Sequence, residues 1–123
     1  MTNTTLDFTY INVHNKPCIQ RLELSSNGDG SYQLFVNDGH LRFDACLTKK
    51  TIEALVEALR SSKMLTSQII KFDVYGTINV VHHKTVTMIK LNVPDDCGMI
   101  YSELILTHEN VQQLIAALIG QGN

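Results

Sequence analysis

Leu47–Leu59 reads LTKKTIEALVEAL, and Leu106–Leu118 reads LTHENVQQLIAAL. Laid over one another, the two stretches agree at five positions (Leu, Thr, Leu, Ala, Leu) and exchange Ile for Val at two more. In the first, Ile52, Leu55, Val56 and Leu59 recur at helical spacing; in the second, Val111, Leu114, Ile115 and Leu118 do the same. That spacing gathers the apolar side chains into one stripe on each helix. Thr48 and Thr107 stand at the N-cap position, where a hydroxyl accepts from a free N–H of the first turn. Neither is followed three residues on by Glu or Gln, so the reciprocal capping box is absent. The first helix is expected to stop near Ser61-Ser62 and the second at Gly120.

The match continues upstream without a gap. Gly39 falls on Gly98, and Leu41, Ala45 and Leu47 fall on Ile100, Leu104 and Leu106. A turn and a strand of the same inward register therefore precede each helix. In the first of these strands Leu41, Phe43, Ala45 and Leu47 point one way, and Arg42 and Asp44 the other.

Earlier segments also read as strands. Leu6–Val13 is rich in aromatic and β-branched residues, and HNKP then turns the chain. Ile19–Ser25 alternates, as does Tyr32–Val36, with NGDG (Asn27–Gly30) between them as a hairpin signal. In the second half, Ile69–Tyr75 and Thr77–His82 read as strands hinged at Gly76. Thr85–Val93 is a long strand, PDDCG (Pro94–Gly98) a turn, and Ile100–Leu106 a strand running into the second helix.

The expected fold is α+β: two antiparallel β-meander units, each followed by an amphipathic helix, ββββα twice. One four-stranded sheet with one helix buries neither its own face nor the helix stripe well. Two such units sharing one core solve that problem within one chain, and two chains solve it as a symmetric dimer. The expectation is a single domain, 1–123, with pseudo-repeat halves 1–62 and 68–123. The short linker Ser61–Ser67, without Pro or Gly, does not suit two freely moving units.

The 123 residues are enough for one core without metal or disulfide support. Charged residues make up only 18%, below the usual quarter, which favours an oligomer such as a homodimer, or a partner-covered face. Ten Lys+Arg against twelve Asp+Glu leave no basic footprint for general nucleic-acid binding. Cys18, Cys46 and Cys97 are odd in number and form no CxxC pair, which suits free thiols in a reducing compartment. The start MTNTTLDFTY has neither the basic nor the apolar run of a secretory signal, and no stretch is apolar enough to span a membrane. A cytoplasmic location is the expectation.

Candidate chemistry is thin. His82 and His83 are adjacent, so on a strand their imidazoles face opposite ways and cannot chelate one ion together. Asp95 and Asp96 beside Cys97 would raise a thiol pKa rather than lower it, and Asp and Gly are ordinary turn residues. NGDG leads from strand to strand, not to the helix that a phosphate loop requires. Asp29, Asp38, Asp95 and Asp96 sit on hairpin tips but supply no calcium-binding ladder within one loop. No catalytic residue, metal or cofactor is expected.

Of the eight aromatics, Tyr32, Phe43 and Phe72 take inward registers. Phe35 and Tyr101 fall on the opposite face from their apolar neighbours. A meander followed by a helix, twice, resembles the element order of the Whirly and PUR single-strand-binding proteins. The resemblance is of element order alone and implies single-strand binding on a sheet face; on that reading bases stack on Phe35 and Tyr101, and Lys71, Lys84 and Lys90 meet phosphates. Those families present a basic sheet face, from which this acidic chain departs. The first functional expectation is therefore a non-enzymatic binding or inhibitor protein, of the immunity or anti-defence kind, covering or sequestering a protein partner. Its expected contacts are Phe35, Tyr101, Asp95 and Asp96. Single-strand nucleic-acid binding is one alternative. A pocket between the halves or between subunits, holding a nucleotide-like small molecule, is the other.

Overall fold

In the computed structural model, which describes residues 3–11, 14–37, 42–73, 75–95 and 98–122, alternating side chains make eight strands and the repeated stretches make two helices. The first half consists of β1 (Asn3–Ile11), β2 (Pro17–Ser26), β3 (Ser31–Asn37), β4 (Arg42–Thr48) and α1 (Lys49–Arg60). The second consists of β5 (Gln68–Lys71), β6 (Thr77–His82), β7 (Val86–Asp95), β8 (Gly98–Thr107) and α2 (His108–Gly122). Sheet A is β1-β2-β3-β4 and sheet B is β5-β6-β7-β8, both antiparallel with neighbours in chain order. The ββββα order thus occurs twice.

Register repeats along with order. Leu24 pairs with Leu34 and Leu34 with Ala45; in sheet B, Val80 pairs with Ile89 and Ile89 with Leu104. All six side chains are buried. A slip of one residue would turn either row to solvent, so the core itself enforces this agreement. Between β2 and β3 the NGDG turn forms as its glycines allow, with Gly28 at φ 83 and Gly30 at φ 89.

Both caps form. Thr48 Oγ1 accepts from the Thr51 N–H at 3.2 Å, and Thr107 Oγ1 from the Asn110 N–H at 3.2 Å. α1 stops where Ser61 N–H returns to the Ala58 carbonyl at 3.2 Å. Each stripe is buried except Val56, which packs at the core margin. Each helix also serves both halves. α1 lies against its own β4 and against β5 and β6 of the other sheet. α2 lies against its own β7 and β8 and against β1 and β2. The helices pack on one another, and the buried side chains form one contiguous cluster drawn from both halves.

Several boundaries differ from the sequence expectation, among them β1, which starts at Asn3 rather than Leu6, and β2, which starts at Pro17 inside the stretch read as a turn. α2 continues past Gly120 to Gly122. A glycine inside a helix costs only about 1 kcal/mol, so the turn at Gly120 can continue through Gln121 and Gly122. The turn read at Pro94–Gly98 is tighter: β7 runs to Asp95 and β8 begins at Gly98, with those two residues paired. The strand read as Ile69–Tyr75 ends at Lys71. There Phe72 N–H and Asp73 N–H both donate to the Gly76 carbonyl, at 3.1 and 3.4 Å, and close a turn.

Gly76 explains that turn. A Cβ at this position would lie 2.6 Å from the Phe72 ring, which packs against the core. Gly76→Ala is therefore expected to destabilise by about 1–3 kcal/mol through overpacking. A double-mutant cycle with Phe72→Leu checks it: the penalty should shrink once the ring is gone, and an unchanged penalty would place the cost in the backbone instead.

Candidate functional site

With both helices on the inner faces, the two sheets turn opposite faces outward, and these differ in chemistry. Sheet A presents Asp7, Arg21, Glu23 and Asp44, all exposed. Arg21 forks onto Asp7, Nε to Oδ1 at 2.8 Å and a terminal nitrogen to Oδ2 at 3.1 Å. This pairing holds the Asp7 carboxyl below the usual carboxylate range. Gln33 Nε2 donates to Asp44 Oδ2 at 2.9 Å. The outer face of sheet A is thus largely polar, with several of its groups paired, and carries Ile19 as an exposed apolar side chain and Phe35 half-buried.

Sheet B is faced differently, in three rows across its strands. One is Val81–Met88–Ile105, all half-buried. The next is Ile69–Asn79–Lys90–Glu103, and the third Lys71–Thr77–Asn92–Tyr101. Ile69 is 64% exposed and Tyr101 67%. At a strand spacing near 4.8 Å, the Lys71 and Tyr101 backbones stand about 14 Å apart. Among the described residues, the large apolar side chains left exposed are Ile19, Met64, Leu65, Ile69, Tyr75, Tyr101 and Ile119. Four of these seven lie within Met64–Tyr75, so the exposed apolar surface gathers on the second half. Leu65 is 71% exposed at φ 58, a left-handed conformation that a leucine rarely adopts.

A cavity of about 320 Å³ lies between the halves. The end of α1 (Leu59, Arg60, Ser61) and Met64 form one side, the β6–β7 hairpin (His82–Thr87) another, and His108, Val111 and Gln112 of α2 the third. Its hairpin wall is closed by its own turn and held on one flank by the linker. His83 N–H donates to the Val86 carbonyl at 2.8 Å, and Leu65 N–H to the His82 carbonyl at 2.8 Å. His82 is buried, with Nε2 donating to the Ala58 carbonyl at 2.8 Å and Nδ1 2.9 Å from Thr87 Oγ1. Both ring nitrogens are therefore engaged by the protein. Among the described residues, no group of three or more His, Cys, Asp or Glu is placed to hold a metal ion.

The expected contact residues are dispersed. Tyr101 is on the outer face of sheet B, and Phe35 is half-buried on that of sheet A, opposite Glu23 and Asp44. Lys71 and Lys90 share a face with Tyr101, whereas Lys84 sits at the β6–β7 hairpin and lines the cavity. Asp95 pairs through its backbone with Gly98; its side chain and the whole of Asp96 lie outside the described residues, as do Asp38, Cys97 and the Phe43 side chain. Tyr32 and Phe72 do turn inward. The clustering of Arg60, His83 and His108 with Lys84 left no motif in the sequence, because the four come from three separate segments. A helix end, a hairpin tip and a helix start become one site only after the halves pack. No protein-family model matches the chain, and neither does any curated protein. No helix among the described residues is long and apolar enough to cross a membrane.

Proposed function

We propose that this is a cytoplasmic, non-enzymatic binding protein that covers a protein partner with the outer face of sheet B. The observation that carries this is the exposure of Ile69 and Tyr101 on the face of sheet B that alternates with its buried residues. Ile69 stands on edge strand β5 and Tyr101 on edge strand β8, with Asn79, Lys90, Thr77 and Asn92 between them, so the two are separate anchors at either side of a polar middle. In the sequence Asp95 and Asp96 fall where β7 ends, and on this reading they would meet basic groups of the partner. An inhibitor or immunity protein works in this way, by occupying a surface without chemistry of its own.

Single-strand nucleic-acid binding draws less support. Its aromatics, Phe35 and Tyr101, lie on different sheets, and the face that holds Phe35 is rich in carboxylates. If it were the function, affinity for labelled single strands would fall steeply with salt.

The test is the double variant Ile69→Ser/Tyr101→Ala. Both side chains are exposed, so stability should stay within about 0.5 kcal/mol of wild type. Partner capture from native lysate, read by native mass spectrometry, should drop at least about tenfold, because anchors of this kind contribute around 2 kcal/mol each. A homodimer that dissociates in the double variant would make the partner a second copy of the chain. Capture unaffected by the variant would remove sheet B from consideration.

A further inference from the structure

We infer that the cavity between the halves is a binding site for a phosphomonoester of mononucleotide size. Its walls divide into two chemistries. Arg60, His83, Lys84 and His108 supply guanidinium, ammonium and two imidazoles, and among the described residues no Asp or Glu lines it. In a chain with more acidic than basic side chains, that segregation singles out this place. Leu59, Val86 and Val111 line the same space and offer an apolar surface to the body of a ligand. The volume, about 320 Å³, is at the small end for ligand pockets and suits a mononucleotide better than a longer chain.

Local electrostatics agree with an anion. The first turn of α2 forms one wall, at the positive end of its helix dipole. The end of α1 forms the opposite wall, and its carbonyls would repel an anion. However, the Ala58 carbonyl already accepts from three donors: His82 Nε2 at 2.8 Å, Ser61 N–H at 3.2 Å and Gln68 Nε2 at 3.4 Å. Glu109, in the first turn of α2, does not line the cavity. Because the turn is closed by the His83–Val86 bond and its start is held by Leu65, Lys84 and His83 project from a supported hairpin, as a preorganised site requires.

The internal repeat shows that this place is particular to the second half. The His82–Thr87 pair corresponds in register to Ser26–Tyr32. Where the second half continues with His83 and Lys84, the first continues with Asn27, Gly28 and Asp29. A shared core leaves the hairpin tips free to differ, and of the two it is the second that carries cationic groups.

The probes are the four common nucleoside monophosphates, inorganic phosphate and adenosine, titrated into isotope-labelled full-length protein and followed by amide shifts. At least one monophosphate should shift the amides of His83, Lys84 and His108 and bind more tightly than phosphate or adenosine. Arg60→Gln/Lys84→Gln should weaken that binding at least about tenfold, the scale of losing charge-assisted hydrogen bonds. Lys71→Gln/Lys90→Gln, on the outer face of sheet B, should leave it unchanged. Circular dichroism confirms that both double variants fold. Absence of shifts at millimolar monophosphate overturns the inference, as does equal weakening by the two double variants. Inorganic phosphate binding as tightly as the best monophosphate would overturn the organic body of the ligand.

Discussion

Replacing Gln20 by alanine is expected to lower the free energy of unfolding by about 2–4 kcal/mol, read by urea denaturation. Gln20 is 1% exposed on the inner face of β2. Its Nε2 donates to the Glu103 carbonyl at 2.9 Å, and its Oε1 accepts from the Ile105 N–H at 3.0 Å. Both backbone groups belong to β8, the edge strand of sheet B, which has β7 as its neighbour on one side alone. An amide side chain offers a donor and an acceptor in one plane, as a peptide group does. Gln20 thus stands where a further strand would have paired, and joins sheet A to the edge of sheet B. Alanine leaves a shielded N–H and C=O without these partners.

Gln20→Glu separates the bond from the volume. A carboxylate can accept from Ile105 but has no proton for the Glu103 carbonyl, and its charge is buried. Its folded-state pKa would be raised. The stability it retains should be fully present below the ordinary glutamate pKa and be lost as pH rises through the raised value. Gln20→Ala should show no such difference from wild type between acid and neutral pH. Should Gln20→Ala unfold within about 0.5 kcal/mol of wild type, the sheet-to-edge bridge contributes little to stability.

His82→Ala is expected to cost a comparable amount, about 2–4 kcal/mol, from lost packing and two lost hydrogen bonds. His82 ties β6 of the second half to the last turn of α1 in the first, through the Ala58 carbonyl. His82→Phe keeps the ring volume while discarding both bonds, so it should fall between wild type and His82→Ala. Amide exchange gives a local readout: protection at the end of α1 and at Leu65 should drop more than at β7 and β8. Uniform loss of protection would mean that His82 acts as general core packing rather than as a tie between halves.

The elements were legible because their signals are local. A stripe at helical spacing, a threonine at its start and alternation along a strand each concern residues a few positions apart. NGDG identified its hairpin for the same reason. The reading failed at Ile69–Tyr75, where β-branched and aromatic residues suggested one strand. There the outcome was set by contact between Phe72 and Gly76, four positions apart but brought together only by the turn. The candidate sites were less legible still. Tyr101 was found because its register contradicts its chemistry, whereas Arg60 and His108 are ordinary residues at helix ends.

By itself, the sequence determined the class of fold: two meanders, two capped amphipathic helices, and the correspondence of one half with the other. Period, cap and turn are dictated by backbone sterics and by which side chains avoid water, and both act over short stretches of chain. Tertiary structure alone decided that each helix covers parts of both sheets, that Gln20 completes an edge 83 residues away from it, and that Arg60, Lys84 and His108 surround one cavity. These depend on how the halves dock, where surface is buried between elements with no fixed separation along the chain. Hydrophobic burial favours docking without specifying direction, and the polar contacts that do specify it, Gln20 to β8 and His82 to α1, exist only once the halves have met.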